Sequence, residues 1–252
     1  MYPVLFHVFG IPIEAFWATV FLGFAASLLV VRAELLRLGH DAGAAYDLIL
    51  WAYVGGFVGA RLLLVVTAWD DFQRDPFEHL FSGSGWVWQG GVLGGAAAVA
   101  WKARRLGLPL GEVADFSGLA LAIGQAVGRL GCQLSGDGDY GVPTDLPWGM
   151  SYPNGVVPTL DRVHPTPIYE MVGCLLIFAW LWRRRARPHV PGALFGQYLI
   201  ASGALRLAVE FVRRNPAVGL GLTLAQWVSL VSIAIGVALL RRRASLPAAE
   251  AA

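Results

Sequence analysis

In GRLGCQLSGDGDYG, residues 128–141, an arginine stands among glycines at the end of an apolar run, with Cys132, two aspartates and a tyrosine behind it. Arg129 is one of three arginines that fall inside long apolar runs; Arg61 and Arg206 are the others. At 1.5 Å rise per residue, each lies on the order of 10 Å from the same end of its run. A charge at mid-span costs about 2.5–3.5 kcal/mol on membrane-insertion scales, so three at one depth need a reason. The ordinary reasons are snorkelling and structural ion pairing. The chemical reason is a cationic, partly hydrated cavity sized for an anionic group such as a lipid phosphate, which arginine grips with two parallel donors.

Other polar groups gather at the same level. Helical spacing puts Gln125, Arg129 and Cys132 on one side of one run, and Arg206, Glu210 and Arg213 on one side of another. Glu210 is placed to neutralise either arginine, which makes a purely structural pair the competing explanation. WVWQGGVLGG brings Gln89, Gly90 and Gly91 to the start of a run, and HPTPIYE does the same for His164, Tyr169 and Glu170. Cys132 reads in two ways, as a nucleophile activated by the arginines or as a buried inert cysteine. The glycine pairs Gly55 with Gly59, Gly91 with Gly95 and Gly124 with Gly128 predict close helix packing.

The elements that position these groups follow from composition. The 252 residues are 56% hydrophobic and 14% charged, with a mean hydropathy of +0.58, which excludes an ordinary soluble domain. An all-α, polytopic membrane protein is expected, with seven spans near 11–32, 45–68, 86–102, 111–134, 166–184, 191–214 and 222–241. Residues 1–252 form one membrane-embedded domain in this reading, and the N-terminal run is too long, and lacks the basic start, for a cleaved signal peptide.

Basic residues set the orientation. Arg32 and Arg37, then Lys102, Arg104 and Arg105, then Arg183, Arg184, Arg185 and Arg187, then Arg241, Arg242 and Arg243 follow alternate spans. The intervening loops carry Asp70, Asp71, Asp75 and Glu78, and then Asp137, Asp139, Asp145 and Asp161. The positive-inside rule puts the N-terminus outside and the C-terminus in the cytoplasm. A net charge of +2 carries no nucleic-acid signal, and the two cysteines lack metal-ligand spacing. A channel or transporter needs polar residues through the inner halves of its spans, and LLVVR, AAAVAWK, LLIFAWLW and IAIGVALL are apolar.

The succession GARLLL from Gly59, QGG from Gln89, GRLGCQLSGDGDYG, VPTDLPWG, HPTPIYE and RLAVEFVRR from Arg206 resembles the bacterial prolipoprotein diacylglyceryl transferases, in order and over nearly the whole chain. The resemblance implies a seven-helix enzyme of the bacterial inner membrane. Such an enzyme moves the diacylglyceryl group of phosphatidylglycerol to the lipobox cysteine of a preprolipoprotein and releases glycerol phosphate, without a cofactor. It implies Arg129 and Arg206 as phosphate ligands and leaving-group stabilisers, with Arg61, Gln89, Gly90, Gly91, Gly141 and Glu210 around the substrate. It says nothing of oligomeric state.

Several positions depart from the family pattern. Gln89 stands in place of a histidine, Cys132 and Ser135 in place of asparagines, Asp137 in place of a glutamate, and Phe16 in place of a tyrosine. An amide is no general base near neutral pH. His164 is the replacement base candidate, although its motif also suits a helix start; Asp137 is expected to orient Arg129, and Tyr169 to donate to phosphate. Three readings follow: the family reaction on a divergent site, a related transfer with another lipid or acceptor, and lipid binding without turnover.

Overall fold

The computed structural model describes residues 1–77 and 87–244. Glu78 of the acid-rich loop and Trp86, at the expected start of the third span, lie outside them, as do the side chains of Arg242 and Arg243. The described chain is mostly helical: α1 (Ala15–Leu38), α2 (Ala44–Thr67), α3 (Trp69–Arg74), α4 (Trp88–Arg105), α5 (Leu110–Ser135), α6 (Thr166–Arg184), α7 (Ala193–Glu210) and α8 (Leu224–Ala244). Four of them, α1, α2, α5 and the first 18 residues of α8, are long and apolar enough to cross a membrane. Their outer faces fit that solvent. Phe21 and Leu29 on α1, Leu62 and Val66 on α2 and Val231 on α8 are each more than half exposed, a surface that water would drive to aggregate.

Among the described residues, three antiparallel hairpins accompany the helices: β1 (Val4–Val8) with β2 (Ile11–Glu14) before α1, β3 (Met150–Tyr152) with β4 (Thr159–Val163), and β5 (Ala217–Gly219) with β6 (Leu222–Thr223). The first corrects an expected boundary. The apolar run from residue 11 reads as helix, yet Ile11–Glu14 pair with Val4–Val8 across a turn at Phe9 and Gly10, and α1 begins only at Ala15. Pro12 within β2 has no N–H to give a helix, and the apolar strand residues look no different from helical ones in composition.

The described residues fall into two compact units, one drawn from residues 1–30 and 114–244 and the other from within 31–113. In the smaller, α2 and α4 touch through glycine: a Cβ on Gly59 would fall 2.3 Å from the Gly90 carbonyl oxygen, and one on Gly94 2.3 Å from that of Gly55. No side chain larger than hydrogen fits, as the small-residue spacing predicts. Lys102 Nζ meets Asp47 Oδ1 at 3.2 Å beside them.

The larger unit has its core at Val30, Leu119, Ala122, Leu181, Leu194 and Tyr198. Asp115 of α5 ties the start of α7 to this core, accepting the Gly192 N–H at 2.7 Å and the Phe195 N–H at 2.9 Å. These carboxylate oxygens satisfy amides that a helix start leaves without partners. A second cluster of Tyr140, Tyr152 and Val163 roots the long segment after α5, with the two tyrosine rings stacked at 4.8 Å. The Tyr152 hydroxyl donates to Gln133 Oε1 at 3.0 Å, fastening β3 to the last turn of α5.

Candidate active site

α5 stops at Gly136, whose φ of +60° suits glycine and whose Cβ, were there one, would lie 2.8 Å from Gly155 Cα. The chain then turns back over the end of the helix. Thr166 Oγ1 donates to the Asp139 carbonyl, Gly141 N–H donates to the His164 carbonyl at 2.8 Å, and Val142 N–H donates to the Val212 carbonyl at 2.9 Å. Gly141 must be glycine for space, since a Cβ would sit 2.2 Å from the Val212 carbonyl oxygen. This stitching brings the loop, the start of α6 and the end of α7 together.

Three arginines and three carboxylates meet where they converge. Arg129 on α5 pairs its Nε with Glu170 Oε2 and its Nη1 with Asp139 Oδ2. Arg206 on α7 uses Nη1 alone for two partners, Glu170 Oε1 at 3.0 Å and Glu210 Oε2 at 2.7 Å. Arg213, just past α7, pairs Nη2 with Asp139 Oδ1 and holds Nη1 3.7 Å from Glu170 Oε1. Glu170 is the hub, only 1% exposed and touched by all three guanidinium groups. The cluster is therefore formally neutral rather than the bare cationic cavity expected from the arginines alone, and each buried charge has its counterion. Donors remain: Arg129 Nη2 and Arg206 Nε and Nη2 have no acceptor among the described residues, and their side chains are 20% and 23% exposed.

The two aspartates of the loop differ. Burial raises the Asp139 carboxyl, but Arg129 and Arg213 outweigh it and hold the group below the usual carboxylate range. Burial pushes Asp137 up; its bond with the Cys132 thiol only partly offsets this, and the nearby Asp139 charge adds to the rise. Asp137, expected to orient Arg129, acts on it only through its charge, accepting the Asp139 N–H at 3.2 Å and meeting Cys132, while the direct contact to Arg129 comes from Asp139. Cys132 is buried, with its Sγ 3.7 Å from Arg129 Nη1. Cys132, Asp137 and Asp139 offer ligand atoms within 4.8 Å of one another, but Asp139 is already spent on two arginines.

The ring of His164 pairs with Tyr169, Nδ1 lying 3.2 Å from the phenol oxygen, and that oxygen accepts the indole N–H of Trp148 at 2.8 Å. These three form a chain beside the β3–β4 hairpin. Glu210 is buried against Arg206, so the structural pairing read from the i, i+4 spacing is present. Arg61, 6% exposed on α2, and Gln89, Gly90 and Gly91, at the start of α4, belong to the smaller unit, with Gly90 buried against Gly59. Asp139, Glu170 and Arg213 carry more of the arrangement than their sequence signals suggested. The usable signal was Glu170, a carboxylate within an apolar run that must find cations somewhere in the fold.

The family model described as prolipoprotein diacylglyceryl transferase matches residues 3–242. A phosphatidylglycerol–prolipoprotein diacylglyceryl transferase of Clostridium tetani is 31% identical over 240 residues, covering 94% of this chain and 96% of its own. That of Aromatoleum aromaticum is 34% identical over 259 residues, covering 98% and 97%. The Synechococcus elongatus protein of the same name is 34% identical over 237 residues, covering 87% and 78%.

Proposed function

The chain belongs to the prolipoprotein diacylglyceryl transferase family, and on that premise we propose that it transfers the diacylglyceryl group of phosphatidylglycerol to the lipobox cysteine thiol of preprolipoproteins. The observation that carries this beyond the family name is the arginine cluster with donors to spare. A phosphodiester entering beside Arg129 and Arg206 finds Nη2 of one and the Nε and Nη2 edge of the other unclaimed by protein acceptors among the described residues.

The thiolate of the acceptor attacks the glyceryl carbon attached to the phosphodiester oxygen. The carbon–sulfur bond forms as the carbon–oxygen bond breaks, and its electron pair leaves on glycerol phosphate. The phosphate gains negative charge in the transition state, and the free guanidinium donors answer it where it develops. A free thiol titrates near about 8.5, so the same positive groups favour the thiolate. The thiol proton passes to His164 or to water. Asp137, beside Cys132, and Glu210, behind Arg206, complete the surroundings, and Gln89 positions lipid by hydrogen bonds. No cofactor enters.

In this reading the protein is a single domain with seven spans in the bacterial inner membrane. Its N-terminus, the arginine cluster and residues 135–165 face outward, and its C-terminus is cytoplasmic, in keeping with the distribution of basic residues. The test is release of glycerol phosphate from phosphatidylglycerol by the purified protein, with and without a lipobox peptide, across about pH 6–9. Peptide-dependent release supports the proposal. Lipid binding without release supports the non-catalytic alternative that Gln89, in place of the motif histidine, keeps open, and release with another lipid or acceptor identifies a related transfer.

A further inference from the structure

Glu210 holds Arg206 with one carboxylate oxygen and two neutral donors with the other. Its Oε1 accepts Asn215 Nδ2 at 2.8 Å and Thr223 Oγ1 at 2.6 Å. Asn215 precedes β5 and Thr223 ends β6, so one carboxylate closes the base of that hairpin. Thr223 has a second task at the start of α8. Its Oγ1 accepts the Gln226 N–H at 3.2 Å while Gln226 Oε1 accepts the Thr223 N–H at 2.9 Å, which is a capping box. A hydroxyl has one hydrogen; with Oγ1 accepting from Gln226, that hydrogen goes to Glu210.

Resting on the transferase reading, we infer that Thr223 and Asn215 are positioning residues for Arg206. A carboxylate gripped at one oxygen turns easily about its last torsion, which is broad for glutamate. Gripped at both, it fixes Arg206 Nη1, which Glu170 Oε1 also holds at 3.0 Å. The guanidinium is planar, so fixing Nη1 aims the Nε and Nη2 edge at the substrate phosphate. A displacement of about 1 Å in such a group costs about a hundredfold in rate, so modest loosening is measurable.

Four single variants separate positioning from helix capping. Thr223→Val keeps the shape and removes the hydroxyl, Asn215→Ala removes the second donor, Thr223→Ser keeps the hydroxyl, and Gln226→Ala breaks half of the capping box while leaving Glu210 its donors. Expected are a fall in kcat of about tenfold in Thr223→Val and Asn215→Ala with KM within about twofold, and recovery in Thr223→Ser. Gln226→Ala should lose thermal stability yet keep kcat within about twofold of wild type. In a Glu210→Gln background, Thr223→Val should add little further loss, because it acts through that carboxylate. Unchanged kcat in both donor variants, an equal fall in Gln226→Ala, or additive losses in the Glu210→Gln background would each overturn the inference. A wild type that releases no glycerol phosphate overturns the transferase reading instead. Affinity for short-chain phosphatidylglycerol then decides: a fall of about tenfold in the two donor variants sustains the positioning role, and no change removes it.

Discussion

Replacing Arg129 by lysine keeps the charge and removes the fork. In the wild type Nε reaches Glu170 on α6, Nη1 reaches Asp139 in the loop, and Nη2 has no acceptor among the described residues, which leaves it to the lipid phosphate in the proposed reaction. One ammonium nitrogen cannot stand at two carboxylates on different elements and at a phosphate as well. Two losses follow, and they are measured separately. In the resting protein one charged hydrogen bond goes, worth about 1.5–3 kcal/mol, and the lower half of that range applies because Asp139 keeps Arg213 and Glu170 keeps Arg206. In the transition state the leaving group loses one aimed donor, which costs about 10²–10³ in kcat. Arg206→Lys should behave alike, since its Nε and Nη2 edge disappears. The assay is the initial rate of glycerol phosphate release at saturating lipid, beside thermal unfolding in the same detergent. Arg74→Ala is the control: its side chain is 80% exposed and its contact with Asp71 is 3.5 Å, so activity should stay within about twofold. Wild-type turnover in both lysine variants would reduce the arginines to structural ions.

Stability should respond to the loop aspartates with opposite signs. Asp139→Asn removes the charge that both arginines face and leaves them one acceptor oxygen, and should cost about 3 kcal/mol, the low end for a buried pair because the side chain is partly exposed. Its depressed carboxyl gives wild-type stability that is full above the ordinary carboxylate pKa and lost as pH falls through the lower folded value, so Asp139→Asn should flatten the acid limb of an unfolding profile. Asp137, raised by burial, penalises the fold while charged, so Asp137→Asn should raise the melting temperature at pH 7 and gain less as the medium is acidified toward the wild-type group's own protonation. Gln89→Ala should weaken turnover by about threefold and Gln89→His leave it equal or higher if lipid is held there by hydrogen bonds alone; a large loss in Gln89→His would count against that role. Single cysteines at exposed Asp145 and Arg187 should label with impermeant reagent from outside and inside respectively, and labelling of position 145 only from the cytoplasm would invert the topology.

The helical regions were legible because a long apolar run leaves few alternatives to a helix, and the small-residue spacing correctly implied close packing of α2 on α4. The start of α1 was not, since β1 and β2 are as apolar as the helix they precede and only the turn at Phe9 and Gly10 separates them. Within helices, spacing placed Arg206 beside Glu210 without any structure. Between Asp137 and Asp139 it had no purchase: the two stand in a glycine-rich loop with no period, and which carboxylate reaches Arg129 depends on the Gly136 turn and on Thr166 holding the Asp139 carbonyl. Neutrality of the cluster was likewise beyond the sequence, because Glu170 meets its arginines only after three helices have assembled.

The hub at Glu170 also sets an order of events during synthesis. Arg129 leaves the ribosome about forty residues before the carboxylate that will neutralise it, an interval of roughly two to eight seconds at ordinary elongation rates. Asp139 follows Arg129 sooner, from the adjoining loop, whereas Glu170 must wait for Arg206 to emerge before its second guanidinium arrives. A nascent α5 entering the bilayer therefore needs a polar escort, from the insertion machinery or from its own loop, until α6 and α7 join it. Substitutions at Glu170 should accordingly lower the yield of inserted protein as well as the stability of what is made, and pulse-labelled protein would carry the defect before any mature protein is tested.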